Sequence, residues 1–154
     1  MKKSARMLPL LIIILMTLTL LPVTAHAATI VVSTEAQLQT ALALSSDRDI
    51  IQLGASFTCT HKITITKRLT FDVGNYTLTL SPDSGDVLEV GAGGGMILLK
   101  DTHGALNIVI NTIPAKGLYV HDGGSATVSS ITFTGAGAAT GIYADCGSAT
   151  VTGD

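Results

Sequence analysis

The sequence predicts an all-β protein: a parallel β-helix solenoid of about four three-strand coils. One short amphipathic helix caps its N-terminal end, and its C-terminal end is uncapped. Three observations lead there. From Arg48 onward, short runs rich in Val, Ile and Thr alternate with clusters of Gly, Asp, Asn and Ser, the pattern of strands and turns. The centres of those runs recur about every 23 to 30 residues, the spacing of stacked repeat units. The last two units share wording: Gly117-Leu118-Tyr119-Val120-His121-Asp122-Gly123-Gly124-Ser125-Ala126-Thr127-Val128 returns, one residue shorter, as Gly141-Ile142-Tyr143-Ala144-Asp145-Cys146-Gly147-Ser148-Ala149-Thr150-Val151.

In chain order, the first 27 residues read as a secretory signal peptide. Lys2, Lys3 and Arg6 precede an apolar run from Met7 to Val23, and Ala25-His26-Ala27 places small residues where a signal peptidase reads them. Thr17, Thr19 and Pro22 break the run, which argues against a retained membrane anchor. The expectation is an exported protein, secreted or at the cell surface, that meets a membrane only through this segment before cleavage. The chain has 9 Lys and Arg against 11 Asp and Glu, so it has no basic footprint for nucleic acid. Removing Lys2, Lys3 and Arg6 leaves six basic residues against eleven acids in residues 28–154, a net charge of −5. At 47% apolar and 13% charged, the chain is too hydrophobic for a solvated tail.

Residues 28–49 form an N-terminal strand and capping helix. Thr29-Ile30-Val31-Val32 is the strand. Thr34-Glu35-Ala36-Gln37 is a capping box, and Leu38, Ala41 and Leu42 lay an apolar stripe on a helix from about 35 to 44 that Ser45-Ser46-Asp47 ends. Residues 50–154 are the coils, incomplete at the C-terminus. Three ladders are expected: Ile51, Leu78, Ile108 and Ile131; Ile65, Leu88, Leu118 and Ile142; Thr70, Ile97, Thr127 and Thr150. Alternation turns Ile63, Ile65, Leu69, Phe71, Leu78 and Leu80 inward and Thr64, Thr66, Thr70, Thr77 and Thr79 outward.

With those runs assigned, the chain resembles the right-handed parallel β-helix, or pectin-lyase-like, superfamily. The likeness rests on Thr29 to Leu42, on Asp49-Ile50-Ile51-Gln52-Leu53, on Ile63-Thr64-Ile65-Thr66-Lys67 and on Leu69-Thr70-Phe71. It implies a helix that plugs the first coil. It implies no single activity, because such folds serve lyases, hydrolases, adhesins and passive stalks. The final coil shows no capping element, so a truncated or longer β-helix is expected, with end-to-end stacking at the open coil as another use of that edge.

Candidate chemistry is sparse. Three coil steps separate Cys59 from Cys146, farther than a disulfide reaches, so two unpaired thiols are expected. Asp101-Thr102-His103 and His121-Asp122 sit in Gly-flanked turns, where Asp ordinarily caps its own backbone. Tyr119 and Tyr143 share an outward column with Glu89, and Asp122 and Asp145 lie in the turns that follow. These five residues form a surface strip that reads as a stacking ladder of like side chains, as any β-solenoid favours, with sugar rings or a weak calcium clasp at Asp122 and Asp145 as its alternative uses. No catalytic residue, cofactor or metal ligand is otherwise nominated: Arg48 and Arg68 lie far from the acidic turns, and no pair of carboxylates is placed for glycoside hydrolysis. The expectation is a non-catalytic extracellular scaffold or surface-contact module that touches polysaccharide. The alternatives are the N-terminal part of a polysaccharide lyase or glycoside hydrolase, and an ice-binding solenoid, whose threonine array is here interrupted.

Overall fold

The computed structural model describes residues 26–99, 104–129, 131–135 and 139–152. Residues 1–25, the Asp101-Thr102-His103 cluster and Gly153-Asp154 lie outside them. Strand β1 (Thr29–Val32), helix α1 (Glu35–Leu44) and strand β2 (Ile50–Leu53) open the fold. Four coils follow. The first is β3 (Phe57–Cys59), β4 (Ile63–Ile65) and β5 (Arg68–Asp72), and the second is β6 (Thr77–Leu80), β7 (Leu88–Val90) and β8 (Gly95–Leu99). The third is β9 (Ala105–Ile110), β10 (Lys116–His121) and β11 (Ser125–Ser129), and the fourth is β12 (Ile131–Gly135), β13 (Thr140–Asp145) and β14 (Ser148–Thr152).

Corresponding strands of successive coils pair in parallel and build three walls. The first is β3-β6-β9-β12, the second β4-β7-β10-β13 and the third β1-β2-β5-β8-β11-β14. A parallel neighbour needs a long crossover, and the other two strands of each turn supply it. The apolar interior is a stack of like residues. Ile63, Leu88 and Leu118 lie in register on the second wall, all essentially inaccessible, and Ile142 continues the column half-buried. Burial then fades through the fourth coil, where Val151 is exposed.

The three expected ladders exist, with corrections. Ile51 does not align with Leu78: it pairs with Ile30 and Phe71 on the third wall, and Phe57 takes the place opposite Leu78. On the first wall Leu106 pairs with both Leu78 and Ile131, whereas Ile108 faces Leu80 and Phe133. On the second wall Leu88 meets Ile63 rather than Ile65. The third ladder, Thr70, Ile97, Thr127 and Thr150, stands as expected. Each misplaced residue of the first two walls is either two positions out or on the wrong wall. A shift of two keeps every side chain on its face, so alternation cannot detect it.

Helix α1 begins with the first half of the expected capping box, the Thr34 hydroxyl accepting from the Gln37 amide (3.3 Å); the Gln37 side chain reaches one residue farther back than the box requires and accepts from the Ser33 amide (2.7 Å). Leu38 and Ala41 bury its inner face. Lys67 donates to the Leu42 and Ala43 carbonyls at its C-terminal end, where a cation complements the helix dipole. Glu35 ties its first turn to the β3–β4 corner: Oε1 accepts from the Thr60 and His61 amides, both 2.9 Å, and from the Cys59 thiol at 3.1 Å. The same oxygen lies 2.7 Å from His61 Nδ1.

Burial raises the Glu35 pKa, but the bonds from Cys59, His61 and Thr60 together outweigh it and bring it down to about 2. A carboxyl lowered on folding stabilises fully above its unfolded value near 4.5, and that contribution disappears as pH falls towards 2. Glu35→Gln is therefore expected to lower stability by on the order of 2 kcal/mol at pH 7. Thermal melts of both chains across pH 2 to 7 should show the gap closing below pH 4.5. Burial and then the Glu35 carboxylate push the Cys59 thiol up to about 11, so it serves as a buried donor and not as a nucleophile.

Candidate functional site

The polar chemistry gathers on the outer face of the second wall, centred on β10. Register places Thr64, Glu89, Tyr119 and Tyr143 in one outward column, in keeping with the sequence expectation. At the next rung position the expected symmetry fails. Asp145 ends β13 directly beside His121, not beside Asp122. Asp122 is matched instead by Cys146: both open the following turn with positive φ, +51° and +53°. The residue missing from the shorter repeat is a turn glycine; Gly123, the extra one, donates its amide to the Cys146 carbonyl.

His121 is the hub. Its Nδ1 lies 2.8 Å from Asp122 Oδ2 and its Nε2 lies 2.6 Å from Glu89 Oε1. The bonds to Asp122 and Glu89 favour the imidazolium and raise its pKa above the usual histidine range. Burial alone would raise the Glu89 carboxyl; hydrogen bonds from Lys62 and His121 and their positive charge win and hold it low. The Lys62 ammonium forms an ion pair with Glu89 from the base of β4. With a carboxylate on each ring nitrogen, His121 has no free position at which to take a proton from a substrate, and its chemistry is to fix Glu89 and orient Tyr119.

The two tyrosines do not form one flat platform. The Tyr119 ring stacks on His121 with centroids 4.5 Å apart, and Lys116 Nζ lies 3.8 Å from its centroid. Tyr143 is tilted 49° to Tyr119 at 5.7 Å and stands half-exposed. Asp86 fixes Lys116 twice: Oδ1 accepts from its amide at 2.7 Å, and Oδ2 lies 3.8 Å from its Nζ. Beside Tyr143 opens a groove of about 380 Å³ lined by Asp86, Pro114, Ala115, Lys116, Thr140 and Tyr143. Exposed Ile113 precedes it in the chain. The groove offers a carboxylate acceptor, an ammonium donor and a hydroxyl beside an aromatic face, the mixture that a sugar ring requires.

Among the described residues no group of three or more His, Cys, Asp or Glu converges on a metal position. Of the two residues considered for calcium, Asp122 turns to His121 and Asp145 stands beside His121 in register. Cys59 is a buried free thiol and Cys146 an exposed one. The threonine array of an ice-binding face is interrupted in register: Thr58, Thr79, Asn107 and Thr132 on the first wall, Thr70, Ile97, Thr127 and Thr150 on the third. Sequence reasoning missed Asp86, Lys116 and Lys62. The thirty-residue offset of the second ladder, which sets Glu89 against Tyr119, was the signal that could have found the first two. Compared with known proteins, the chain matches no family model, no curated protein and no solved structure.

Proposed function

We propose that the chain is an exported, non-catalytic β-helix segment of the pectin-lyase-like kind. It acts as an extracellular scaffold whose second wall contacts a neutral, hydroxyl-rich polysaccharide. The observation that carries this reading is the half-exposed Tyr143 ring beside a groove furnished by Asp86, Lys116 and Thr140. A carboxylate next to an ammonium accepts and donates to sugar hydroxyls. The acids Glu89, Asp86, Asp122 and Asp145 on this face, with the net acidic mature chain, disfavour a polyanion such as a uronate polymer.

The test is retention on insoluble neutral polysaccharides (cellulose, chitin, a β-1,3-glucan) against pectin. Tyr143→Ala should weaken retention about tenfold, the worth of one aromatic contact. Thr79→Ala on the first wall should leave it unchanged. Parent protein that passes through all three neutral matrices, or Tyr143→Ala protein retained as well as the parent, would remove this reading.

A further inference from the structure

The Ala28 backbone is gripped on both sides. Its carbonyl accepts from the Ile50 amide at 2.8 Å, and its nitrogen donates to Asp49 Oδ1 at 2.8 Å. The other Asp49 oxygen accepts from the Ser46 amide at 2.7 Å, and the residue is only 6% exposed. Among the described residues, two neutral amides answer this buried carboxylate and no cation bonds it directly. Ala27 immediately precedes Ala28 in the chain, and both alanines are exposed. Ala27 is also the last residue of the Ala25-His26-Ala27 signature.

We propose that Asp49 is a receptor for the processed amino terminus of this chain: cleavage after Ala27 leaves the Ala28 ammonium in contact with the Asp49 carboxylate and locks β1 onto β2. This rests on the export reading, which supplies the peptidase. In the cleavage one water is consumed. Its oxygen bonds to the Ala27 carbonyl carbon, the bond to the Ala28 nitrogen breaks, and proton transfer leaves a carboxylate on Ala27 and an ammonium on Ala28. The hydrogen bond at 2.8 Å, until then from a neutral amide to the carboxylate, thereby becomes an ion pair charged on both sides without moving a heavy atom, and the exposed position of Ala28 leaves the remaining ammonium protons to water. A cut one residue earlier would place the charge beyond the carboxylate, and a cut one residue later would delete the residue that meets it.

Two chains made by removing a tag with a protease that leaves a native end test this directly, one starting at Ala28 and one at Ala27. The Ala27 chain keeps the hydrogen bond as a neutral amide. At pH 6 the Ala28 chain should melt about 3–5 °C higher. The gap should vanish in the Asp49→Asn background. It should also close as pH rises past the ammonium pKa, since Asp49 raises that value on folding and the stabilisation is lost above it. Lys67, Arg48 and the Asp47–Arg68 pair surround the same turn, and they are common to both chains. Equal melting temperatures for the two chains overturn the proposal even if Asp49→Asn fails to fold. The mass of protein exported from the full reading frame should correspond to a start at Ala28. Export with another start overturns the proposal and leaves the export reading standing. Full-length protein that stays inside the cell counts against export, and the melting comparison then decides the receptor by itself.

Discussion

Gly124→Ala is expected to destabilise the fold by about 3 kcal/mol, lowering the melting temperature by roughly 10 °C. A Cβ on Gly124 would lie 2.5 Å from the Val90 carbonyl oxygen, 2.9 Å from that of Gly91 and 3.0 Å from that of His121. All three obstacles are backbone, so none can swing aside as a flexible side chain would. The same corner recurs up the column. A Cβ on Gly94 would meet the Ile65 carbonyl oxygen at 2.3 Å, and one on Gly147 would meet that of Val120 at 2.9 Å. At this corner, between the second and third walls, each coil presses directly on the carbonyls of the coil below. Gly123 next door supplies the contrast: its φ is +78° and nothing lies within 4 Å of its would-be Cβ. Gly123→Ala should therefore cost only about 1 kcal/mol, from backbone conformation alone. Urea or thermal melts of the two variants read the difference, and equal losses would mean that the coils do not press together at this corner.

Leu118→Ala is the second large effect, with an expected loss of about 3–4 kcal/mol. Leu118 is fully inaccessible, stacked between Leu88 and Ile142 on the inner face of the second wall. Neighbours above and below are held by ladder hydrogen bonds and cannot collapse far into the space, so the cavity persists. Tyr119, the adjacent residue, points outward; Tyr119→Ala should lose about 1 kcal/mol of stacking and cation contact. Denaturant melts that rank the two variants in the opposite order would put the wall inside out.

Much of this was legible because the coil imposes a local rule. A period of two sets inward against outward, so the buried Ile63, Leu69, Phe71 and Leu78 and the outward Thr64, Glu89, Tyr119 and Tyr143 follow from alternation. Helix α1 was legible because Thr34 and Gln37 cap it within four residues of chain. Register was harder. Pairing Leu88 with Ile63 or with Ile65 presents the same face, and the choice falls to the corners. The site was hardest, because its contacts run between coils. Glu89 meets a histidine 32 positions away, and Asp86 grips a lysine 30 positions away. The shorter final repeat misleads as well. Reading Asp122 and Asp145 as equivalents follows the shared wording, yet the omitted glycine falls after them, so Asp145 aligns with His121.

Interstrand nuclear Overhauser effects on labelled protein give the most direct test of the parallel stack on which the site depends. The amides and α-protons of β10 should show contacts on one side to Leu88, Glu89 and Val90 and on the other to Ile142, Tyr143 and Ala144. Contacts instead between consecutive strands running in opposite directions, β10 with β11 or β13 with β14 as hairpins, would contradict the stack and dissolve the column that brings Glu89, His121 and Tyr143 onto one face.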